Sequence, residues 1–479
     1  MSAGIWGPTR TLRSLMKTKT KCAPSTGKVR RESLGGKRAV GWEWQSANRR
    51  VRRGWARSVR TGKTDPTLSG LGGLVSFNAF TQNEKLGARL RRDFGHLKMG
   101  RGVVYPMHTQ MQLLLDASIA GARRVFDFEA LAADPVFVHL AGGAVPSCDV
   151  VYDDLRRFGP SELEDLEALV AEHGLKSVRK KRLREITVDI DTTVTPLFGA
   201  QEGAVPGPNP RYHGRPSYHP ILARIAETDT VLGARLRHGD TGLGERDTED
   251  IEQWIERLHQ ACPKAVITAR IDAGGDCVAL LSAIDRTQAY FVVKMKQTSN
   301  LVSDVFHTKS WRTTERDAFD KPTRQVAIID FKRNDWPEGR YRVIAVRTTE
   351  RESGKQVQLW DDLDYSVHVY VTNDMTRDAD ELARLYDDRA AIEPLIAELK
   401  NAFGIGKASS DVFDANEAAF LLKLLAYNLL RRWVEATCTG VANRWRASWI
   451  RRACILVPAR LLRSAGRWQL RLAPRPMLN

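Results

Sequence analysis

Tyr386, Arg389, Glu393 and Lys400 stand in the segment LYDDRAAIEPLIAELK at offsets of 3, 7 and 14 residues, each close to a whole number of helical turns. At about 100° per residue the four side chains fall within a sector of about 60°, so one helix face would carry a carboxylate flanked by two cations and a phenol. Two further carboxylates, Asp191 in ITVDIDTT and Asp272 in AVITARIDAGG, lie in or just after strand-like runs. Three acids delivered by two strands and a helix are what a two-metal phosphoryl-transfer site needs, because hard divalent cations prefer oxygen ligands. Singly each acid is weak evidence, since most Asp and Glu are merely solvated.

The elements that must position these acids can be read from periodicity. Ile186, Val188 and Ile190 share one face of residues 186–198, and Thr187, Asp189 and Asp191 share the other, which predicts a strand with one apolar side. Asp189 is therefore a rival to Asp191, and alternation does not choose between them. A second strand is expected around Val231–Leu236, a helix over 248–260 with Ile251, Trp254, Ile255 and Leu258 inward, and buried strands in AVITARI and AYFVVKMK. Residues 303–373, rich in Val, Ile, Tyr and Thr and broken by Asn334, Pro337, Gly339 and Gly354, predict a β-rich insertion between the second and third acids. In the signature helix, Leu385, Ile392, Ile396, Leu399 and Phe403 form an apolar stripe beside the polar edge, and Pro394 should kink the helix next to Glu393. A second amphipathic helix is expected over 414–435. Residues 64–175 have helical spacing, as in Met111, Leu114, Leu115 and Ile119, with Ser147 placed to cap a short helix. Strands first and then a helix, with acids on both, fit an α/β ribonuclease-H-like core.

The residues as a set resemble the DDE transposases of bacterial insertion sequences, in the branch with the Tyr-Arg-Glu-Lys signature. The likeness runs from about Asp65 to the C-terminus and takes in Asp191-Thr192-Thr193, Arg270-Ile271-Asp272 with Gly274, Gln201-Glu202-Gly203, Asn209-Pro210, Gly214, Tyr218-His219-Pro220, Phe413, Asn416 and Ala426-Tyr427-Asn428-Leu429-Leu430. It selects Asp191 over Asp189. It implies a ribonuclease-H-like catalytic core with a β-rich insertion, preceded by a helical DNA-binding region. It implies Asp191, Asp272 and Glu393 as catalytic residues holding two Mg²⁺ ions, with Mn²⁺ as a substitute, and Tyr386, Arg389 and Lys400 as the grip on DNA phosphates. The partners it implies are double-stranded DNA, as terminal inverted repeats and target, and a second copy of the chain in a homodimer; the location is cytoplasmic, at the nucleoid. Ala273 and Gly275 replace the hydroxyl and aromatic residues frequent in the family. With Pro394 they leave open a catalytically impaired DNA-binding derivative; a nuclease or integrase of the same fold is the other alternative. The loop from Gln201 to Pro220 can bring Arg211, His213 and Arg215 against a DNA backbone. His213, His219 and His238 suggest a metal site less readily than solvated or DNA-facing groups. Trp311, Trp336 and Trp360 could stack on an unpaired base, although a tryptophan in a β region is more often core.

Charge agrees once it is located. Residues 1–63 hold 17 Lys and Arg against Glu32 and Glu43, residues 431–479 hold 11 Arg against Glu435, and the stretch between is net −8. Basic ends favour a polyanion. A membrane is disfavoured because no apolar run approaches the ~20 residues of a spanning helix, and the basic N-terminus lacks the apolar stretch of a signal peptide. Six scattered cysteines without a Cys-x-x-Cys pair read as reduced thiols. The expected organisation is a basic disordered tail over 1–63, a helical DNA-binding region over 64–180, core segments at 181–302 and 374–437 around the insertion, and a basic region over 438–479. The tail is either a DNA-binding arm with interleaved tryptophans or a leader without a role.

Overall fold

The computed structural model describes residues 64–207, 213–349, 365–438, 440 and 444–474; the basic tail, Arg211 and Trp360 lie outside them. A short strand, Leu68–Ser69 (β1), precedes helices at Leu74–Asn83 (α1), Leu86–Phe94 (α2), Met107–Ala120 (α3), Phe128–Leu131 (α4), Pro135–Leu140 (α5), Cys148–Leu155 (α6) and Pro160–Lys181 (α7). The caps explain where two of them begin. Ser147 Oγ accepts the Val150 N–H ahead of α6, and Asp134 accepts from Val136 and Phe137 ahead of α5, whose first residue is a proline that has no N–H to satisfy.

A nine-stranded sheet follows. Towards one edge lies Glu185–Thr192 (β2), followed on the outer side by Ile221–Ile225 (β6) and Thr230–Arg235 (β7), each antiparallel to the strand before it, and on the inner side by Val266–Ile271 (β8) and Tyr290–Lys294 (β9), both parallel to β2. An antiparallel meander continued by two parallel strands is the ribonuclease-H-like order. Between β2 and β6 the chain folds a three-stranded flap, Thr195–Pro196 (β3), Val205–Pro206 (β4) and Pro216–Tyr218 (β5). Helices Thr248–Ala261 (α8) and Val278–Arg286 (α9) make the crossovers that parallel strands require, and both cover one face of the sheet. On that face lie Ile186, Val188, Ile190, Ile267, Ala269 and Ile271, packed with Trp254, Ile255 and Leu258. Each large apolar side chain buried there contributes about 1.5–3 kcal/mol.

The described strands between residues 303 and 373 extend this same sheet. After Ser299–His307 (α10), strands Arg312–Arg316 (β10), Pro322–Ile329 (β11), Arg342–Thr349 (β12) and Tyr365–Thr372 (β13) run antiparallel, and β13 closes back onto β9 through Val371 opposite Val293. The opposite face of the sheet is covered by Ala379–Asp387 (α11), Ile392–Glu398 (α12) and Phe413–Thr437 (α13). Helix α13 is the hub of the larger core. Leu421, Leu424, Leu425 and Leu429 pack with Met111, Leu115 and Ile119 of α3 and Leu166 and Leu169 of α7. The edge strand β7 is guarded by Asn428, which accepts from the Val231 N–H at 2.9 Å and donates to the Val231 and Val170 carbonyls at 2.8 and 2.9 Å. After Ala447–Ile450 (α14), a hairpin of Ala459–Ser464 (β14) and Arg467–Leu472 (β15) pairs with β1. No helix among the described residues is long and apolar enough to cross a membrane.

Candidate active site

Parallel pairing of β2 and β8 aligns Ile190 with Ile271, so Asp191 and Asp272 leave neighbouring strands at the same end of the sheet. Asp191 is largely buried: its Oδ1 accepts the Thr192 N–H at 2.8 Å and lies 3.0 Å from the Arg389 guanidinium. Asp272 is more open, caps the following turn through the Gly274 N–H at 2.9 Å, and has its other oxygen 3.9 Å from the same guanidinium. Glu393 begins α12 on the solvent side and is near enough to act on Asp191 as a charge. Burial raises the Asp191 carboxyl, Arg389 lowers it, and the negative charges of Asp272 and Glu393 raise it further, to about 6.

Two carboxylates on one buried guanidinium, with Glu393 adding a third negative charge near Asp191, leave a surplus of negative charge, and every donor is an oxygen. That donor set fits hard divalent cations. The expectation that all three acids close into one coordination sphere is not met, since no three ligating side chains are close enough to hold an ion among the described residues. The physical reason is visible: like charges repel, and the Arg389 guanidinium lies against Asp191 and Asp272 as their counter-ion.

The signature residues depart from a single helical face. α11 ends at Asp387, a tighter 3₁₀ turn runs over Asp388–Ala391, α12 resumes at Ile392, and a wider π turn covers Leu399–Phe403. Pro394 cannot donate to the carbonyl one turn back, and the break lies just ahead of Glu393, on the side where a kink is expected. The π turn holds Lys400, whose ammonium donates to Thr193 Oγ1 at 2.6 Å and to the Val194 carbonyl at 2.9 Å, tying the helix to the chain just after Asp191. Tyr386 is buried against Tyr370 with ring centroids 4.5 Å apart, and burial raises its hydroxyl to about 12. Arg389 and Lys400, expected to grip DNA phosphates, are engaged with the acids and the β2 exit loop. Arg384, on the outer side, pairs with Asp380 and Glu315 at the surface.

Asp189 is not a spare acid. It is fully buried and binds Arg224 at 2.7 Å and Arg270 at 2.6 and 3.0 Å, while Arg270 also donates to the Leu385 carbonyl at the end of α11. Arg224 and Arg270 were missed in the sequence. The Arg-x-Asp frame was the available signal for Arg270, and ILARI, assigned to no element, hid Arg224. The departure at Gly275 has a steric cause: a Cβ there would overlap the Ile271 side chain.

The flap residues serve structure. Tyr218 Oη donates to the Glu202 carbonyl at 2.7 Å, Asn416 donates to Tyr218 Oη at 3.1 Å, and Glu202 accepts the Phe413 N–H at 2.9 Å, joining the flap to the start of α13. Gly203 has φ +71°, and a Cβ would sit 2.8 Å from both His238 and Phe413. Arg215 lies over the exposed Phe198 ring at 4.4 Å. His213, His219 and His238 do not assemble a metal site among the described residues. Trp336 packs edge-on against Tyr341 and Phe331, a core role, whereas Trp311 lines a groove of about 340 Å³ with Arg347 stacked on it at 4.3 Å.

A family described as Transposase DDE domain group 1 matches residues 51–476. No curated protein matches the chain. Among solved structures, a piggyBac transposase synaptic complex with hairpin DNA is similar at 9% identity over 79% of this chain and 78% of that one, with a TM-score of 0.42. A Mos1 transposase paired-end complex is similar at 12% identity over 41% of this chain and 61% of that one, with a TM-score of 0.17.

Proposed function

The chain belongs to the family of transposase DDE domains, group 1, and from that premise we propose that it cuts and rejoins DNA strands for a bacterial insertion sequence of the Tyr-Arg-Glu-Lys branch by metal-dependent cut-and-paste. The observation that carries this reading is the meeting of Asp191 and Asp272 at matched ends of adjacent parallel strands, with Arg389 between them and Glu393 in charge contact. Asp191, Asp272 and Glu393 would hold two Mg²⁺ ions, for which Mn²⁺ could substitute. When bound, the ions neutralise charge at the reacting phosphorus and activate the attacking oxygen.

The chain's own residues do the rest. Asp191 is fixed by the Thr192 N–H and by the Lys400 anchor two residues further on, so its carboxylate is held before substrate arrives. Arg389 presents a planar fork beside the acids, suited to two oxygens of one phosphate. Tyr386 supports that arginine from the core side, and Lys400 adds positive charge at the β2 exit. In cleavage, a water oxygen bonds to phosphorus as the bond to the 3′ oxygen breaks. In transfer, that 3′ oxygen bonds to a target phosphorus as the bond from that phosphorus to the target's own 3′ oxygen breaks, leaving a 3′ hydroxyl on the target strand. The substrates are duplex ends with inverted repeats and target DNA, recognised with help from the helices between 64 and 180, in a homodimer that pairs two ends at the nucleoid.

The test is nicking of a duplex carrying the inverted repeats read from the DNA flanking the gene, in Mg²⁺. Asp191→Ala, Asp272→Ala and Glu393→Ala should each abolish nicking and leave end binding in place, because phosphate contacts elsewhere supply most affinity. Nicking that survives Asp191→Ala would refute the assignment.

A further inference from the structure

We propose that the C-terminal ribbon β14–β15 is a second DNA-contacting surface, which holds duplex phosphates through Arg467 and Arg471. This rests on the transposase reading and adds to it a contact on an element that carries none of the three acids.

Register assigns the two faces of the ribbon. Ala459 opposes Leu472 and Leu461 opposes Leu470, and Ala459 and Leu461 are buried against the body of the protein. That face is seated closely: a Cβ at Gly72 would lie 2.7 Å from the Ala459 Cβ, and one at Gly73 would overlap the Cys454 carbonyl. Trp468, on the same side near the turn, meets the His139 ring at 4.8 Å. The ribbon is therefore held rigidly, with its other face outward.

The outward face pairs Arg460 with Arg471, Leu462 with Gln469, and Ser464 with Arg467. Residues 459–472 contain four arginines and no Asp or Glu. Two like charges directly opposite in an antiparallel pair oppose folding. Only Arg460 has a carboxylate nearby, Asp65 at 3.0 Å; Arg467 and Arg471 are exposed and meet no carboxylate among the described residues. A polyanion would relieve this repulsion. Arginine in place of lysine favours phosphate, since its fork takes two oxygens at once. Arg467 and Arg471 are four residues apart, ~13 Å along the strand at ~3.3 Å per residue, so they reach separate phosphates and count as separate contacts.

The test uses the full chain and a 30-base-pair duplex of arbitrary sequence, with binding followed by fluorescence anisotropy over a range of NaCl concentrations. Each phosphate contact contributes about 0.9 to the slope of log K against log salt. Arg467→Ala/Arg471→Ala should therefore lower the magnitude of that slope by about 2, with a melting temperature no lower than the native chain's, while Arg467→Lys/Arg471→Lys retains it. Arg384→Ala, an exposed arginine elsewhere, should leave it unaltered. An unchanged slope in the double alanine variant overturns the ribbon proposal and leaves the transposase reading standing. An unchanged slope together with lost binding to phosphatidylserine vesicles would assign the face to a membrane surface instead, and also overturns it. A native chain that fails to bind any duplex would overturn both.

Discussion

Asp189→Ala should destabilise the protein severely, although the residue belongs to no reaction step. The carboxylate is fully buried and accepts one hydrogen bond from Arg224 and two from Arg270. After its removal Arg224 still has Asp229, at 2.8 and 2.5 Å, but Arg270 keeps a hydrogen bond only to the Leu385 carbonyl, with Glu227 acting on it as a charge without a direct bond. One uncompensated buried guanidinium costs about 3–5 kcal/mol, against a total stability of ~5–15 kcal/mol for a typical domain. Thermal melts of Asp189→Ala, Arg270→Met and the double variant would measure this. The double variant should lose much less than the sum of the singles, with a coupling of about 0.5–3 kcal/mol. Asp191→Ala is the contrast: it relieves repulsion with Asp272 and Glu393, so it should abolish cleavage without lowering the melt. If Asp189→Ala melted within about 0.5 kcal/mol of the native chain, as an ordinary surface substitution does, the buried network would not hold the end of α11 and the reasoning would fail.

Lys400→Ala should reduce strand cleavage more than duplex binding, because it frees Thr193 and Val194 beside Asp191; equal losses in a nicking and a binding assay would contradict a positioning role. Arg384→Ala should be nearly silent in both, since its pair with Glu315 is exposed, such pairs give about 0.2–1 kcal/mol, and Asp380 keeps Arg324 as its partner. Asp116, buried between Asn78 and Gln112, has its carboxyl pushed up to about 7 by desolvation. A folded value above the unfolded one means that stability is full below about pH 4 and is lost as pH rises through 7. Asp116→Asn should therefore gain melting temperature over the native chain at pH 8 and not at pH 4.

Much of the sheet was legible because alternation survives in buried strands. Ile186, Val188 and Ile190 declared one face of β2, and the runs ending at Ile271 and Lys294 were apolar enough to stand out. Strand β6 was not legible: ILARI has no clean alternation, because both its faces are covered and Arg224 is buried on a carboxylate. The three acids were named from spacing and likeness; the chain brings Asp191 and Asp272 to one end of the sheet, with Glu393 acting on Asp191 as a charge. What spacing could not supply was the direction of the signature residues. A phase of 100° per residue assumes an unbroken helix, and the turns at Asp388–Ala391 and Leu399–Phe403 wind by other amounts. Nor could parity separate Asp189 from Asp191. They share a face, and their roles diverge because α11 covers one and leaves the other at the rim.

The return of β13 to β9 has a consequence for how this architecture can change over generations. The chain leaves the catalytic sheet at one strand and re-enters beside it, so the position at which Glu393 is delivered depends on the β9–β13 pairing and not on the length of what lies between. Lengthening a loop costs little, about 0.6 kcal/mol for each doubling. Residues 303–364 are thus a place where a lineage can gain or shed strands, and acquire new surfaces, with the acids undisturbed.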